Sequence, residues 1–269
     1  MKSLKDQVAE LMEAGYRNDT AQAKVAHDMV LLAVHRCGFK EKCTIKGGVV
    51  MSSLTGDVRR ATMDMDIDFI GYSITESSVR RFAARLAKAM PELNLSLVGA
   101  PVELKHADYR GRRIYLSVKD DSIRRPLRTK VDIGVHTNGN LAQVEFSFVN
   151  NSGEGDAELQ ANPPEQIFAE KLLSLLRHGA TSNRPKDVYD MHYLSGIVDK
   201  TRLKRCISIV VYNNPACRVA NHAEMMRMLK LTFSLKAFSG SLTNARTNWL
   251  RIPGPVVLDS LVAFLEGLQ

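Results

Sequence analysis

The sequence predicts an α+β chain in two lobes: a mixed-sheet lobe with N-terminal helices over residues 1–155, and a helical lobe over residues 156–269. Three observations predict it. Over residues 63–69 and again over 95–149 apolar residues come in short runs with a period near two, the pattern of half-buried strands. From residue 164 onward the period becomes helical. Between them lies NNSGEGDAELQANPP (150–164), polar and bearing Gly and Pro, which reads as the lobe boundary.

The elements follow in order. Residues 3–16 and 20–37 carry helical spacing. Asn18, Asp19 and Thr20 offer N-cap oxygens for the second helix, and Gly38 ends it. Its two histidines, His27 and His35, read as surface or satisfied core side chains. Residues 43–45 form a short strand leading into Gly47-Gly48, and residues 49–54 a helix opened by that turn. Alternation then sets Met63, Met65, Ile67 and Phe69 toward a core, with Asp64, Asp66 and Asp68 on the opposite face of one strand. Residues 75–90 make an amphipathic helix whose apolar side holds Val79, Phe82, Ala83, Leu86 and Met90, and Pro91 stops it. Strands over 95–108, 112–121, 127–136 and 142–149, separated by turn residues, read as an antiparallel meander. In the second lobe Pro164 and Glu165 open a helix that Gly179 closes. More helices are expected over 200–212, 219–234, 241–250 and 255–267.

The chemistry concentrates between Lys46 and Ile70. Gly lets backbone N–H groups approach a phosphate closely, and a helix N-terminus favours an anion. Carboxylates aligned on one strand repel unless a cation neutralises them. Hard oxygen donors in a row suit Mg²⁺ (or Mn²⁺), which takes further ligands from substrate phosphates. A phosphate cradle followed by a metal-binding strand implies chemistry on a nucleoside triphosphate. Each half also has a plainer reading, as a simple turn or a solvated edge strand.

Asp132 stands alone between two β-branched residues in Lys130-Val131-Asp132-Ile133-Gly134, where an acid is uncommon unless paired or metal-bound. It stands out as an acid that could bind metal or take a proton, whereas Asp120 and Asp121 sit in a turn and read as solvated. Around it Arg110, Arg112, Arg113, Arg124, Arg125 and Arg128 make a basic region, with Tyr109 and Tyr115 interleaved. These side chains suit a path for RNA or polyphosphate with base stacking, or equally solvated arginines and packed tyrosines.

Lys46-Gly47-Gly48 followed by R-A-T-x-D-x-D (60–66), then A-E-K-L (169–172) and R-x-K-D-x-Y-D (184–190), resembles the AbiEii/AbiGii toxin branch of the polymerase-beta-like nucleotidyltransferase superfamily. The matched motifs run from residue 46 to residue 190. The resemblance implies a triphosphate held by Gly47, Gly48 and Lys171, metal on Asp64 and Asp66, a third carboxylate on a later strand for which Asp132 is the candidate, to bind metal or take the acceptor hydroxyl's proton, and Asp187 completing the site. Arg184 and Lys186 would assist with phosphate. The branch expects a hydroxyl after the second glycine; here Val49 stands there, and Ser52 and Ser53 follow one turn later. Asp68 is extra to the pattern, and Asp190 reads as a helix cap or ion-pair partner. The implied function is Mg-dependent transfer of a nucleoside monophosphate from an NTP, bound between the lobes, to an acceptor hydroxyl. The implied acceptor is tRNA or other RNA and the implied partner an antitoxin protein. Phosphorylation of Thr62 would compete with the substrate. Two other readings stay open: a small-molecule nucleotidyltransferase of the antibiotic-modifying kind, and a non-catalytic scaffold that keeps the fold.

Composition narrows the setting. No apolar run approaches the ~20 residues that span a bilayer. The acidic, amphipathic N-terminus is no secretory signal, and the four cysteines lack metal or disulfide spacing. Cytoplasmic residence is expected. A formal charge of +8 favours a polyanionic partner.

Overall fold

The computed structural model describes residues 1–106, 109–137, 139–179, 184–243 and 247–268. The chain divides into two compact units, Met1–Asn162 and Pro163–Gln269.

Among the described residues of the first unit, seven strands form one mixed sheet. They are β1 (Cys43–Lys46), β2 (Asp64–Phe69), β3 (Asn94–His106), β4 (Tyr109–Lys119), β5 (Leu127–Val135), β6 (Val144–Phe148) and β7 (Ala157–Ala161). Their spatial order is β3-β4-β5-β2-β1-β7-β6. The expected meander holds for β3, β4 and β5; β6 instead pairs with β7 at the far edge. β7 itself falls inside the stretch read as a boundary. Its five residues alternate buried and half-buried, but the flanking Gly and Pro hide so short a pattern.

Among its described residues this unit holds four α-helices: α1 (Leu4–Glu13), α2 (Asn18–Arg36), α3 (Gly47–Thr55) and α4 (Glu76–Ala89). α2 is buried almost all round from Ala21 to Val34, as a central core helix must be, and packs on β4, β5 and β7. Its cap is Arg17, without a side-chain hydrogen bond; Asn18 already lies in the helix, and Thr20 donates its hydroxyl back to the Arg17 carbonyl. α4 presents Val79, Phe82, Ala83 and Leu86 to the sheet, each large side chain contributing about 1.5–3 kcal/mol by leaving water. Phe39, Phe69, Tyr72 and Phe82 pack together at the end of β2, edge to face except for the tilted pair of Phe39 and Phe82. This cluster anchors the back of the strand that carries the acids. Met63, expected in the core, is 50% exposed, because β2 and its alternation begin one residue later.

The second unit holds α5 (Pro164–His178), α6 (Pro185–Ser195), α7 (Lys200–Ile207), α8 (His222–Ser234), α9 (Lys236–Ser241) and α10 (Gly254–Glu266). A π-helical turn, Ser208–Tyr212, continues α7. No helix covers the expected span 241–250 in its described residues: α9 ends where that span begins, and residues 244–246 lie outside the described set. The turn positions Asp108 and Asn138 and the Tyr109 and Arg110 side chains also lie outside it. Phe168, Leu172, Tyr189, Leu194, Leu229 and Leu261 fill the core of this unit. No helix among the described residues is long and apolar enough to cross a membrane.

Candidate active site

Gly47 and Gly48 form the first turn of α3. Gly47 adopts φ +61°, a conformation that L side chains rarely take, and a Cβ there would lie 2.7 Å from Asp66 Oδ2. A Cβ on Gly48 would lie 2.5 Å from Thr62 Oγ1. The glycines are therefore required twice over: one turns the chain, and both let α3 rest directly on the acid-bearing segment. Lys46 occupies the cap position without a side-chain cap bond, so the N-terminus of α3 opens beside Asp66 with the partial positive charge of a helix start.

The acids come together through strand register. β2 runs parallel to β5, with Asp64 opposite Lys130, Asp66 opposite Asp132 and Asp68 opposite Gly134. Residues directly paired across strands share a face, so Asp64, Asp66 and Asp132 occupy one face of neighbouring strands. Asp64 is exposed, while Asp66 and Asp132 are half-buried. Asp68 is buried, with one oxygen on Lys46 Nζ at 2.9 Å and the other, Oδ1, without a hydrogen-bond partner.

The charges on this face are matched by cations of adjacent strands, which sequence reading had not paired. Arg113 of β4 clamps Asp132 with two bonds of 2.7 and 2.8 Å. Lys130 Nζ lies 2.8 Å from Asp64 Oδ1. Asp132, and to a lesser degree Tyr115, holds the Arg113 guanidinium charged well above its usual range. The signal was present in the alternation, since Lys130 precedes Asp132 by two and Arg113 precedes Tyr115 by two. As they stand, no three carboxylate, histidine or cysteine side chains among the described residues converge tightly enough to grip an ion. The donor set nevertheless suits a hard divalent cation: three carboxylates, two on paired positions, with ammonium and guanidinium groups marking where positive charge belongs.

Behind this face, His27 of α2 is buried and held neutral, its pKa lowered to about 4 by desolvation, then by Lys24. Its ring meets the Met63 backbone just before Asp64, and Nε2 has no hydrogen-bond partner. It is buried as expected but not fully satisfied; His35 is satisfied, through the Glu158 carbonyl. Ser52, the expected nucleotide-side hydroxyl, is buried and lines a small cavity with Lys24, His27, Asp28 and Thr62.

The second unit gathers its own candidates. Lys171 of α5 is buried, its Nζ 2.6 Å from Asp187 Oδ1 and 2.8 Å from Asp190 Oδ2, both on α6. Asp190 is fully buried and accepts a hydrogen bond of 3.0 Å from Trp249 Nε1. It is therefore no N-cap: it lies deep in α6, where the helix turns it toward Lys171. Arg184 occupies the cap position of α6, its Nε 3.1 Å from Asp187 Oδ2, and Lys186 follows in the first turn. The structure thus joins Lys171, Asp187 and Asp190 within this unit, and Asp64, Asp66 and Asp132 within the other.

The sequence matches the family "Nucleotidyl transferase AbiEii toxin, Type IV TA system" over residues 30–235. Among curated proteins none matches significantly. Among solved structures, the chain is similar to a candidate nucleotidyltransferase from H. pylori, at TM-score 0.54 and 14% identity, over 91% of this chain and 94% of that one. It is also similar to JHP933 from Helicobacter pylori, at TM-score 0.52 and 13% identity, covering 90% of both chains. The chain belongs to the AbiEii nucleotidyl transferase toxin family, and its fold is that of nucleotidyltransferases.

Proposed function

We propose that this family member transfers a nucleoside monophosphate from an NTP to a hydroxyl of an RNA acceptor, tRNA among the candidates, and thereby acts as the toxin of a toxin–antitoxin pair. The supporting observation is the parallel pairing of Asp66 with Asp132, with Asp64 on the same face and the N-terminus of α3 alongside. In this reading Asp64, Asp66 and Asp132 hold Mg²⁺, which when bound would neutralise charge developing on the transferred phosphate. The glycine-opened N-terminus of α3 orients the phosphates through backbone N–H groups. Asp132, fixed by Arg113, accepts the proton of the acceptor hydroxyl as its oxygen attacks the α-phosphorus. The bond from the α-phosphorus to its bridging oxygen breaks, and pyrophosphate leaves. By the family motifs that carry them, Lys171 and Asp187 would contact phosphate within the helical unit. Lys171 would do so only by loosening its hold on one of its two carboxylates.

The test is incubation with total RNA, each α-labelled NTP in turn and Mg²⁺. Labelled RNA is expected with wild type and none with Asp64→Ala or Asp66→Ala, both of which should melt as wild type does. Retained transfer in either variant would refute the metal assignment. In cells, wild type should arrest growth and the same variants should not; a co-expressed antitoxin should relieve the arrest. Thr62 lies against Gly48, so a negative group there would crowd the anion site. Thr62→Glu should silence transfer, and full activity of that variant would remove the site from consideration.

A further inference from the structure

The strand order spreads the candidate chemistry across the sheet in a line. The Gly47–Gly48 turn follows β1, Asp64 and Asp66 are on β2, Asp132 is on β5, and β4 comes next. On β4 the register sets Tyr115 opposite Lys130 and Arg113 opposite Asp132, so both share the face of the acids. On β3 the same face continues with Val98 opposite Tyr115 and Val102 opposite Arg113. Tyr115 is 41% exposed and Val102 52% exposed, so the face stays open beyond the carboxylates. Arg128 of β5, two residues before Lys130, is also exposed on this side.

An exposed aromatic ring among cations on an open sheet face is the arrangement that stacks an unpaired base while the cations attend its backbone. We infer that the β3–β4–β5 face is the platform for the acceptor strand, with Tyr115 stacking a base of a single-stranded RNA end whose hydroxyl reaches Asp132. The inference rests on the transferase reading above. The strand order favours the acceptor over the NTP base. The phosphate-side turn lies across β2 from β5, whereas Tyr115 lies on the other side of Asp132. Neighbouring strands are about 4.8 Å apart, so Tyr115 is about 10 Å from Asp64, roughly one nucleotide's reach. Arg113 links the two functions, clamping Asp132 and interacting with Tyr115.

Binding without turnover tests this. The probes are a fluorescein-labelled hairpin RNA with an unpaired 3′ end, the same hairpin made blunt, and unlabelled NTPs by calorimetry. Tyr115→Ala should weaken the overhang hairpin about 5- to 100-fold, leave the blunt hairpin's weaker binding and NTP affinity unchanged, and melt as wild type does. Tyr115→Trp should restore overhang binding, which a merely packed side chain would not predict. Arg128→Ala should lower the salt dependence of hairpin binding. Unchanged overhang binding in Tyr115→Ala, failure of Trp to rescue it, or an equal loss of NTP affinity would each overturn the assignment, the last by giving the ring to the donor base. Because the readout needs no catalysis, it stands apart from the fate of the Asp66→Ala test.

Discussion

Two regions of this protein pair acids with bases, and they do so under opposite conditions. On the sheet face, the side chains of Asp64 and Lys130 are 54% and 26% exposed, and those of Asp132 and Arg113 18% and 30% exposed. In the helical unit, Lys171, Asp187 and Asp190 are 9%, 10% and 0% exposed. The difference is one of solvation. A partly hydrated pair can exchange its partner for another ion at small cost, whereas a buried cluster cannot lose one member without stranding a charge. The sheet-face pairs can therefore change partners at smaller cost than the Lys171 cluster can.

The sharpest way to break this contrast is Asp190→Ala, which leaves Lys171 short of a carboxylate and Trp249 Nε1 without its acceptor. It should cost about 3–5 kcal/mol in denaturant unfolding. Lys130→Met, which removes the cation from Asp64, should cost less than about 1 kcal/mol in the same experiment. Equal losses would show that solvation does not separate the two regions.

Between these extremes stands the glycine turn. Gly48→Ala should destabilise by about 1–3 kcal/mol through the clash with Thr62, and Thr62→Ala should recover part of that loss in a double-mutant cycle. No coupling between the two substitutions would mean that α3 does not rest on the acid segment.

A further effect is one of pH. His27 has a folded pKa of about 4 against 6.5 ordinarily, so between these values the unfolded chain binds more protons than the folded one. Its contribution to stability is complete above pH 6.5 and is lost as pH falls toward 4. His27→Gln should lack this part of the acid-side loss. Asp28 and Lys24 remain in that variant, so only the difference between the two stability curves is read. Identical slopes would show that His27 is not held neutral behind the acid strand.

Much of the candidate site could be read in the chain because its signals are local. Asp64, Asp66 and Asp68 alternate with Met65, Ile67 and Phe69, and the pleat alone puts the two sets on opposite faces. α4 was legible for the same reason, its apolar residues recurring at helical spacing. β7 was not, because AELQA is too short and its neighbours too turn-like to outweigh them. Of the two readings open for Asp190, helix cap or ion-pair partner, the ion pair is the one that forms, with Lys171 at 2.8 Å. The burial of Asp190 against Trp249, 59 residues away, leaves no mark on the local sequence.

What the sequence determined by itself was the glycine turn, the acid strand, the lone Asp132 and the helical second half, each fixed by interactions within a few residues. Only the tertiary structure decided that β5 lies parallel to β2 with Asp132 beside Asp66, that Arg113 and Lys130 meet those acids, and that Lys171 is shared by Asp187 and Asp190. Strand register and helix docking are set by which distant apolar faces bury together, and a polar side chain's partner is whatever that burial brings within reach.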